Sequence, residues 1–316
     1  MILKFVRWWR NVQRKSSGQL SGGLVAAVLV QEQKVSLLLL DSRSRQVLRV
    51  ETLILQQQTA EQGLLELAAH IPTEAPVVLV LSAERYQLLT IEKPAVPVTE
   101  IPQALPWLVK DLLPWPQDDL VLDYLDDQAS AQPKIQVVAA QASYLQPLCK
   151  ALNYRQKNLI SIVPDEWLAP HLLPKHPQAV LLLAQQPAQD LVVQIVRDGQ
   201  LLVSRKLRGF SRISDYGLAE LSNGMLDSLL LEVQRSLDYF EAQLRQPPVR
   251  EIQLLLPTEE LPGIVQYFAQ NGFARVSALA LQQWMPLLSH QEQHEYWLLL
   301  AACLGVLQEV TDEVVG

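Results

Sequence analysis

The feature that most constrains the fold of this chain is a pattern that occurs twice. Each half opens with three short apolar segments separated by polar turns, and each then continues into alternating helical and strand-like segments. The first triplet begins at Leu24, and the second lies between Gln178 and Leu207. Short apolar runs bounded by turn residues predict buried strands. The repetition therefore predicts a pseudo-duplicated, two-lobed α/β fold, in which a ligand would lie in the cleft between the lobes.

A block with a different, proline-punctuated pattern interrupts the first half of the chain. Between the first strands and their continuation, the pattern predicts a strand ending in prolines, a proline-punctuated helix, two strands and a second helix, which we interpret as an inserted α+β subdomain. The predicted organisation is a basic helix and linker at 1–23, the start of the first lobe (subdomain 1A) at 24–85, the inserted 1C-like subdomain at 86–157, a return to the first lobe at 158–176, and the second lobe at 177–316.

The first sixteen residues predict a short amphipathic helix with a cationic face and two tryptophans. Such a helix can lie in the headgroup plane of an anionic membrane. The alternative is that it docks on the acidic surface of the protein itself or on a partner. The candidate membrane-surface residues are Lys4, Arg7, Trp8, Trp9, Arg10, Arg14 and Lys15.

The remaining sequence is acidic. The formal net charge of the 316 residues is −7, and removing the five cations of the N-terminal segment leaves about −12, which argues against nucleic acid as the main partner. Cys149 and Cys303, the only cysteines, lie in apolar helical patterns without metal or redox spacing. The longest charge-free apolar run, Tyr296–Leu307, is 12 residues long, shorter than the about 20 needed to span a bilayer. We therefore expect a cytoplasmic protein.

The sequence lacks the glycine-rich and nucleophile motifs of common enzymes. No GxxxxGK[ST], GxGxxG or GxSxG motif occurs. His290 and His294 lie one helical turn apart, but the spacing does not supply the further ligands that a closed metal site needs. We predict no catalytic residue and no metal site.

Several strings, in this order, resemble the PilM family of actin-like proteins of type IV pilus assembly, and more closely its MshI-like relatives of the MSHA pilus system. The similarity is strongest in "PAVPVTEIPQALPWLVKDLLPWPQDDLVLDYL" and continues in "DGQLLVSRKL", "LLLEVQRSLDYFEAQ" and "AACLGVLQE". It covers most of the chain from about residue 24. The resemblance implies an actin-like (ribonuclease H-like) fold.

The sequence departs from the ATP-binding relatives at three positions. Those relatives carry glycine in the first hairpin turn, in the matching turn of the second half, and after the strand that follows the long helix. Glycine lets backbone N–H groups approach phosphate closely. Here all three places lack it. The degenerate nucleotide-loop positions are Gln31, Glu32, Gln33 and Lys34 in the first turn, Gln185 and Gln186 in the second, and Pro257 and Thr258 in the third.

The combined reading is a pseudo-ATPase, not an enzyme, that binds no cofactor. The resemblance implies a scaffold at the cytoplasmic face of the inner membrane, which binds the cytoplasmic tail of a bitopic, PilN-like pilus assembly protein between the first subdomain and the insert. The candidate groove residues, for each of which core packing is the alternative, are Trp107, Pro114, Trp115 and Tyr124. A second hypothesis is a PilM-like protein that still binds ATP and Mg²⁺ through diverged loops. A third is a GspL-like component of a type II secretion platform.

Overall fold

The computed structural model describes residues 23–127, 129, 132–273 and 275–315, with side chains up to residue 308. The predicted N-terminal helix and its membrane-surface residues lie outside this part of the chain. The described residues form two compact units. The first comprises residues 23–127, Gln132–Leu168 and 298–315, and the second comprises Ala169–Trp297 together with Ala129. Residues from Leu298 onward thus belong to the first unit, whereas the sequence analysis assigned 177–316 to the second lobe.

The first unit contains two sheets. Its elements are β1 (Leu24–Val30), β2 (Lys34–Asp41), β3 (Val47–Ile54), α1 (Ala60–Leu67), β4 (Pro76–Leu81), β5 (Tyr86–Glu92), α2 (Ile101–Val109), β6 (Leu120–Asp126), β7 (Lys134–Gln141), α3 (Ala142–Tyr154) and β8 (Asn158–Pro164). The larger sheet has the order β3-β2-β1-β4-β8, in which β3, β2 and β1 are antiparallel neighbours and β1, β4 and β8 run parallel. Leucine, valine and alanine fill β1 and β4 because both faces of these central strands are buried.

The predicted insert forms a three-stranded sheet of its own, with the antiparallel order β5-β7-β6. One face of this sheet packs against α2 through Leu120, Leu122 and Val137. The other face contributes Val121 and Val138 to the core of the larger sheet. This alternation along β6 and β7 follows from the two-residue period of a strand, and it gives the insert two chemically distinct faces.

The second unit repeats the topology of the larger sheet. Its elements are β9 (Val180–Ala184), β10 (Leu191–Arg197), β11 (Gln200–Leu207), α4 (Leu218–Leu221), α5 (Met225–Asp238), β12 (Glu251–Leu255), α6 (Leu261–Gln270), β13 (Val276–Ala278) and the start of α7 (His290–Val315). The order β11-β10-β9-β12-β13 has the same antiparallel and parallel pairings as β3-β2-β1-β4-β8. The pseudo-duplication predicted from the two triplets is therefore confirmed.

The sequence Asp-Gly favours a two-residue hairpin turn, and it forms one between β10 and β11. Asp198 and Gly199 both have positive φ, 51° and 76°, which is the signature of a type I′ turn. Apolar residues at helical spacing from Leu226 to Leu244 predict a long helix here, and the α-helix is shorter than this stripe. The α-helix ends at Asp238 and continues as one π turn, Tyr239–Gln243. Proline at 247 disfavours helical backbone in the preceding residue, so the chain turns out of the helix here.

Both cysteines are free thiols. Cys303 is completely buried and Cys149 is half-buried, and burial raises the pKa of both thiols, to about 11 for Cys149. Among the described residues, no helix is both long and apolar enough to span a bilayer, and no group of three or more metal-binding side chains occurs.

Candidate functional site

The first candidate loop, between β1 and β2, is a backbone-closed turn. The Gln31 N–H donates to the Lys34 carbonyl at 2.9 Å, and the Leu55 N–H donates to the Gln33 carbonyl at 2.7 Å. None of the four residues, Gln31 to Lys34, has a positive φ. The Gln31 N–H, which a phosphate-binding turn would direct at its ligand, is satisfied within the turn itself.

The second loop, after β9, is filled by a side chain. Gln185 is 1% exposed, and its Nε2 donates to the carbonyl oxygens of Gln189 at 2.8 Å and Phe210 at 2.9 Å. Its Oε1 is buried without a hydrogen-bond partner in the described part of the chain. Ala188 adopts the left-handed conformation, with φ 60°, which a glycine would adopt without strain. The amide of Gln185 thus occupies space that a glycine-rich turn would leave open.

The third loop lies beside the second at the same edge of the sheet. Ala184 and Leu255 are register partners in the parallel pair β9–β12, and the Gln185 N–H donates to the Leu255 carbonyl at 2.9 Å. Pro257 has no N–H, and the buried Thr258 accepts the Glu260 N–H on its Oγ1 at 3.2 Å. In the second unit, the loop groups that would face a bound nucleotide are therefore already engaged in hydrogen bonds within the protein. The loss of nucleotide binding at these positions stays a prediction.

A carboxylate joins three segments where the insert begins. Asp165, in the 3₁₀ turn after β8, accepts the Ala83 N–H at 3.1 Å and the hydroxyl of Tyr86. Burial, followed by the negative charge of Asp165, raises the pKa of Tyr86 well above its ordinary value. Asp165 therefore ties the start of β5 to the end of β8. Sequence analysis did not identify this residue, because its partners are about 80 positions earlier in the chain.

Beside Asp165, three buried polar atoms have no hydrogen-bond partner among the described residues. They are Ser82 Oγ, Arg85 Nε and the Tyr144 hydroxyl. The Arg85 guanidinium lies 4.8 Å from the centre of the Tyr144 ring, a cation–π distance, and burial raises the pKa of Tyr144. Ser82 follows β4 directly and is 6% exposed. Unsatisfied buried polar groups are uncommon in native proteins, so this cluster, which we call the junction cluster, requires an explanation.

A row of residues crosses the insert sheet on the face that also carries Tyr86. Thr90, Gln136 and Leu125 are register partners on β5, β7 and β6, on the sheet face that also carries Val121 and Val138. Gln136 Oε1 accepts the indole N–H of Trp167 at 2.8 Å, and Thr90 and Leu125 are exposed. We call Thr90, Leu125, Gln136 and Trp167 the junction row. The junction row forms a surface of mixed polarity between the insert and the segment after β8.

The predicted groove residues lie elsewhere on the insert. Trp115 and Tyr124 pack against the insert core beneath α2, on the sheet face opposite the junction row. Trp107, on the outer side of α2, is 67% exposed, so core packing does not account for it. Pro114 is also exposed. The structure therefore separates two half-buried aromatic residues from two exposed residues, and the role of all four in partner binding stays a prediction.

His290 and His294 form a contacting pair at the start of α7. Their Nε2 atoms are 3.2 Å apart, and burial, together with the charge of His290, lowers the pKa of His294 to about 4. His290 Nδ1 lies 3.7 Å from a carboxylate oxygen of Glu259. The imidazole of His294 is therefore buried and neutral at the start of α7.

Comparison with solved structures places this chain in a fold class. It has an actin-like α/β fold with an inserted α+β subdomain, as the sequence analysis predicted. In particular, it is similar to a chain of the PilM-PilN type IV pilus biogenesis complex, with a TM-score of 0.62, 17% identity, and coverage of 90% of this chain and 98% of that one. At this identity, the likeness shows the fold.

Two other solved structures have lower similarity. The cytoplasmic domain of EpsL, an inner-membrane component of the Vibrio cholerae type II secretion system, gives a TM-score of 0.49 at 14% identity, over 92% of this chain and 94% of that one. A Bacteroides thetaiotaomicron protein with an actin-like ATPase fold gives 0.46 at 10% identity, over 92% and 98%. No protein-family model matches the chain, and no curated protein matches its sequence.

Proposed function

We propose that this protein is a non-catalytic scaffold of a type IV, MSHA-like pilus assembly platform at the cytoplasmic face of the inner membrane. It binds the cytoplasmic tail of a bitopic, PilN-like membrane protein at the junction between the insert and the larger sheet of the first unit. The similarity to a chain of the PilM-PilN complex supports this choice of partner. The basic N-terminal segment would hold the scaffold close to the bilayer.

The observation that carries the proposal is the junction cluster. Ser82 Oγ, Arg85 Nε and the Tyr144 hydroxyl are buried and lack partners among the described residues. Leaving such a group unsatisfied costs about 1–3 kcal/mol, and more when the group is charged. A bound tail can supply carbonyl and carboxylate oxygens to these donors, while its apolar side chains cover Leu125 in the junction row. Hydrogen bonds from the tail to these donors would then contribute to the free energy of binding.

The three closed loops support a role without ATP chemistry. A nucleotide would have to displace the Gln185 amide from the carbonyl groups of Gln189 and Phe210, and to approach a turn that carries Glu32. A carboxylate close to a triphosphate repels it. The same fold can therefore be retained for partner binding after its nucleotide loops have closed.

The experiment identifies the partner first and maps the surface second. The full chain is used to recover membrane proteins from detergent-solubilised inner membranes, and the cytoplasmic tail of the recovered bitopic protein is then titrated as a fluorescent peptide. We expect Arg85→Gln and Leu125→Asp each to weaken tail binding by about tenfold or more, because one removes a buried cationic donor and the other charges an apolar contact.

Trp107→Ala tests the groove residue predicted from the sequence, on the outer side of α2. Leu48→Asp is the matched control for Leu125→Asp, since it introduces the same charge at an exposed leucine of β3. We expect both variants to leave the affinity within about twofold. If Trp107→Ala weakens binding and Arg85→Gln does not, the tail binds on the outer side of α2 and the proposed surface is wrong. Recovery of no bitopic inner-membrane protein would contradict the scaffold role itself.

A separate measurement tests the absence of nucleotide binding. We expect the melting temperature of the protein to stay unchanged in millimolar ATP and Mg²⁺. A site filled to about 100 times its Kd would instead stabilise the folded state by about 2.7 kcal/mol, a shift of several degrees. Mg²⁺ alone is the control, and a rise that needs ATP would support the hypothesis of a nucleotide-binding protein with diverged loops.

A further inference from the structure

A second surface, in the second unit, has the features of a strand-addition site. In the described sheet, β11 is the terminal strand and pairs only with β10. The outer edge of such a strand presents backbone N–H and C=O groups that can pair with an extended segment of another chain. A cavity of about 570 Å³ lies between the C-terminal end of this strand, the following turn and α5. An extended segment placed there would lie between a strand and a helix.

The lining of this cavity is strongly cationic. Arg205, Lys206 and Arg208 line it from β11 and the following turn, and α5 contributes Leu231, Glu232 and Arg235. We call these six residues the β11 groove. The groove has four cations and one carboxylate, although the formal net charge of the whole chain is −7. Its positive charge is therefore a local feature, not a property of the surface in general.

Internal pairing leaves two of these cations available. Glu232 accepts hydrogen bonds from both Arg205 and Arg235. Burial would raise the pKa of Glu232, but the hydrogen bonds and charges of the two arginines outweigh it and lower the pKa, so the carboxylate stays ionised. Lys206 and Arg208 are exposed and have no ion-pair partner among the described residues. The groove can therefore pair with at least two further carboxylates.

We propose that an acidic, extended segment of a partner protein adds to the outer edge of β11, with its carboxylates on Lys206 and Arg208 and its apolar side chains on Leu231. Charges on an edge strand often serve only to prevent edge-to-edge pairing. That role accounts for Lys206, but it does not account for Arg235 and the 52% exposed Leu231, which extend the surface onto a helix. Charge complementarity across the groove selects the occupant.

The test uses the full chain and a short fluorescent peptide of alternating glutamate and valine, titrated by anisotropy at low salt. We expect saturable binding, which weakens by about tenfold in the double variant Lys206→Glu, Arg208→Glu. The matched control is Lys110→Glu, Lys150→Glu, which changes the net charge equally at exposed positions of the first unit. Equal weakening in both variants would mean that binding follows total charge, and would overturn the proposal.

A second arm tests the strand geometry without changing the protein. N-methylation of alternate residues removes the backbone donors along one edge of the peptide, and two peptides methylated in opposite registers cover both edges. We expect one of the two to lose binding and the other to retain it. If both bind as well as the parent peptide, or if the parent peptide does not bind at all, no strand adds to β11. Failure here leaves the junction cluster and its partner unaffected, because different residues carry the two proposals.

Discussion

Replacing Phe240 with alanine is expected to lower the free energy of unfolding by about 3–5 kcal/mol. Phe240 is completely buried in the core of the second unit, in the π turn that follows α5. Truncating a buried phenylalanine removes apolar contacts and leaves a cavity that the surrounding residues fill only in part. Chemical denaturation followed by circular dichroism measures the change as a shift of the transition midpoint at constant slope.

The preceding residue provides the control for this prediction. Tyr239 is 49% exposed in the same turn, so Tyr239→Ala should change the free energy of unfolding by less than about 1 kcal/mol. Comparable losses in the two variants would mean that the π turn itself, and not the burial of one ring, determines the stability of this region. A small effect of Phe240→Ala alone would mean that the turn is packed differently in solution.

Replacing Asp165 with alanine is expected to destabilise the first unit by about 2–4 kcal/mol. The substitution leaves the Tyr86 hydroxyl and the Ala83 N–H without their acceptor, and hydrogen bonds to a charged group contribute about 1.5–3 kcal/mol each. Chemical denaturation of the full chain measures this loss of stability. A double-mutant cycle with Tyr86→Phe should give a coupling energy above about 1 kcal/mol, and additive effects would contradict the pairing.

The same pair predicts how stability depends on alkaline pH. Because the pKa of Tyr86 is raised in the folded protein, the phenol stays protonated there, whereas in the unfolded chain it ionises near its ordinary pKa of 10.0. Its stabilising contribution is complete below this pH and is lost as the pH rises above it. Wild-type protein should therefore lose stability between pH 9 and 11 more steeply than Tyr86→Phe. Parallel curves would show that Tyr86 does not titrate as expected.

Much of the fold could be predicted because it depends on local patterns. The two strand triplets, the apolar stripe of α5 and the Asp198–Gly199 turn are each encoded within a few neighbouring residues. The insert could be recognised because prolines interrupt the apolar pattern of the sequence between residues 86 and 157. Two features could not be predicted: the residue at which α5 ends, and the membership of residues from Leu298 onward in the first unit. Long-range packing determines both.

The candidate site was predictable only in part, for a related reason. The absence of glycine from three loops is visible in the sequence, but the amide of Gln185 bonding to Phe210 is not. The aromatic residues of the insert were predicted as groove residues because tryptophan and tyrosine often line binding surfaces. The junction cluster instead consists of ordinary polar residues, Ser82, Arg85 and Tyr144, whose common property is a buried side-chain atom without a hydrogen-bond partner in the described part of the chain.

The membership of the α7 residues from Leu298 onward in the first unit has a consequence for biosynthesis. Cys303, completely buried, places its Sγ 3.8 Å from the carbonyl oxygen of Val25, which lies 278 positions earlier in the chain. At roughly 5–20 residues per second, the ribosome needs roughly 15–55 s to synthesise the intervening segment. During that time, the apolar strand β1 is not yet packed against α7. The nascent chain therefore exposes apolar surface until α7 is synthesised, and we expect chaperones that hold emerging polypeptides to bind it during that time.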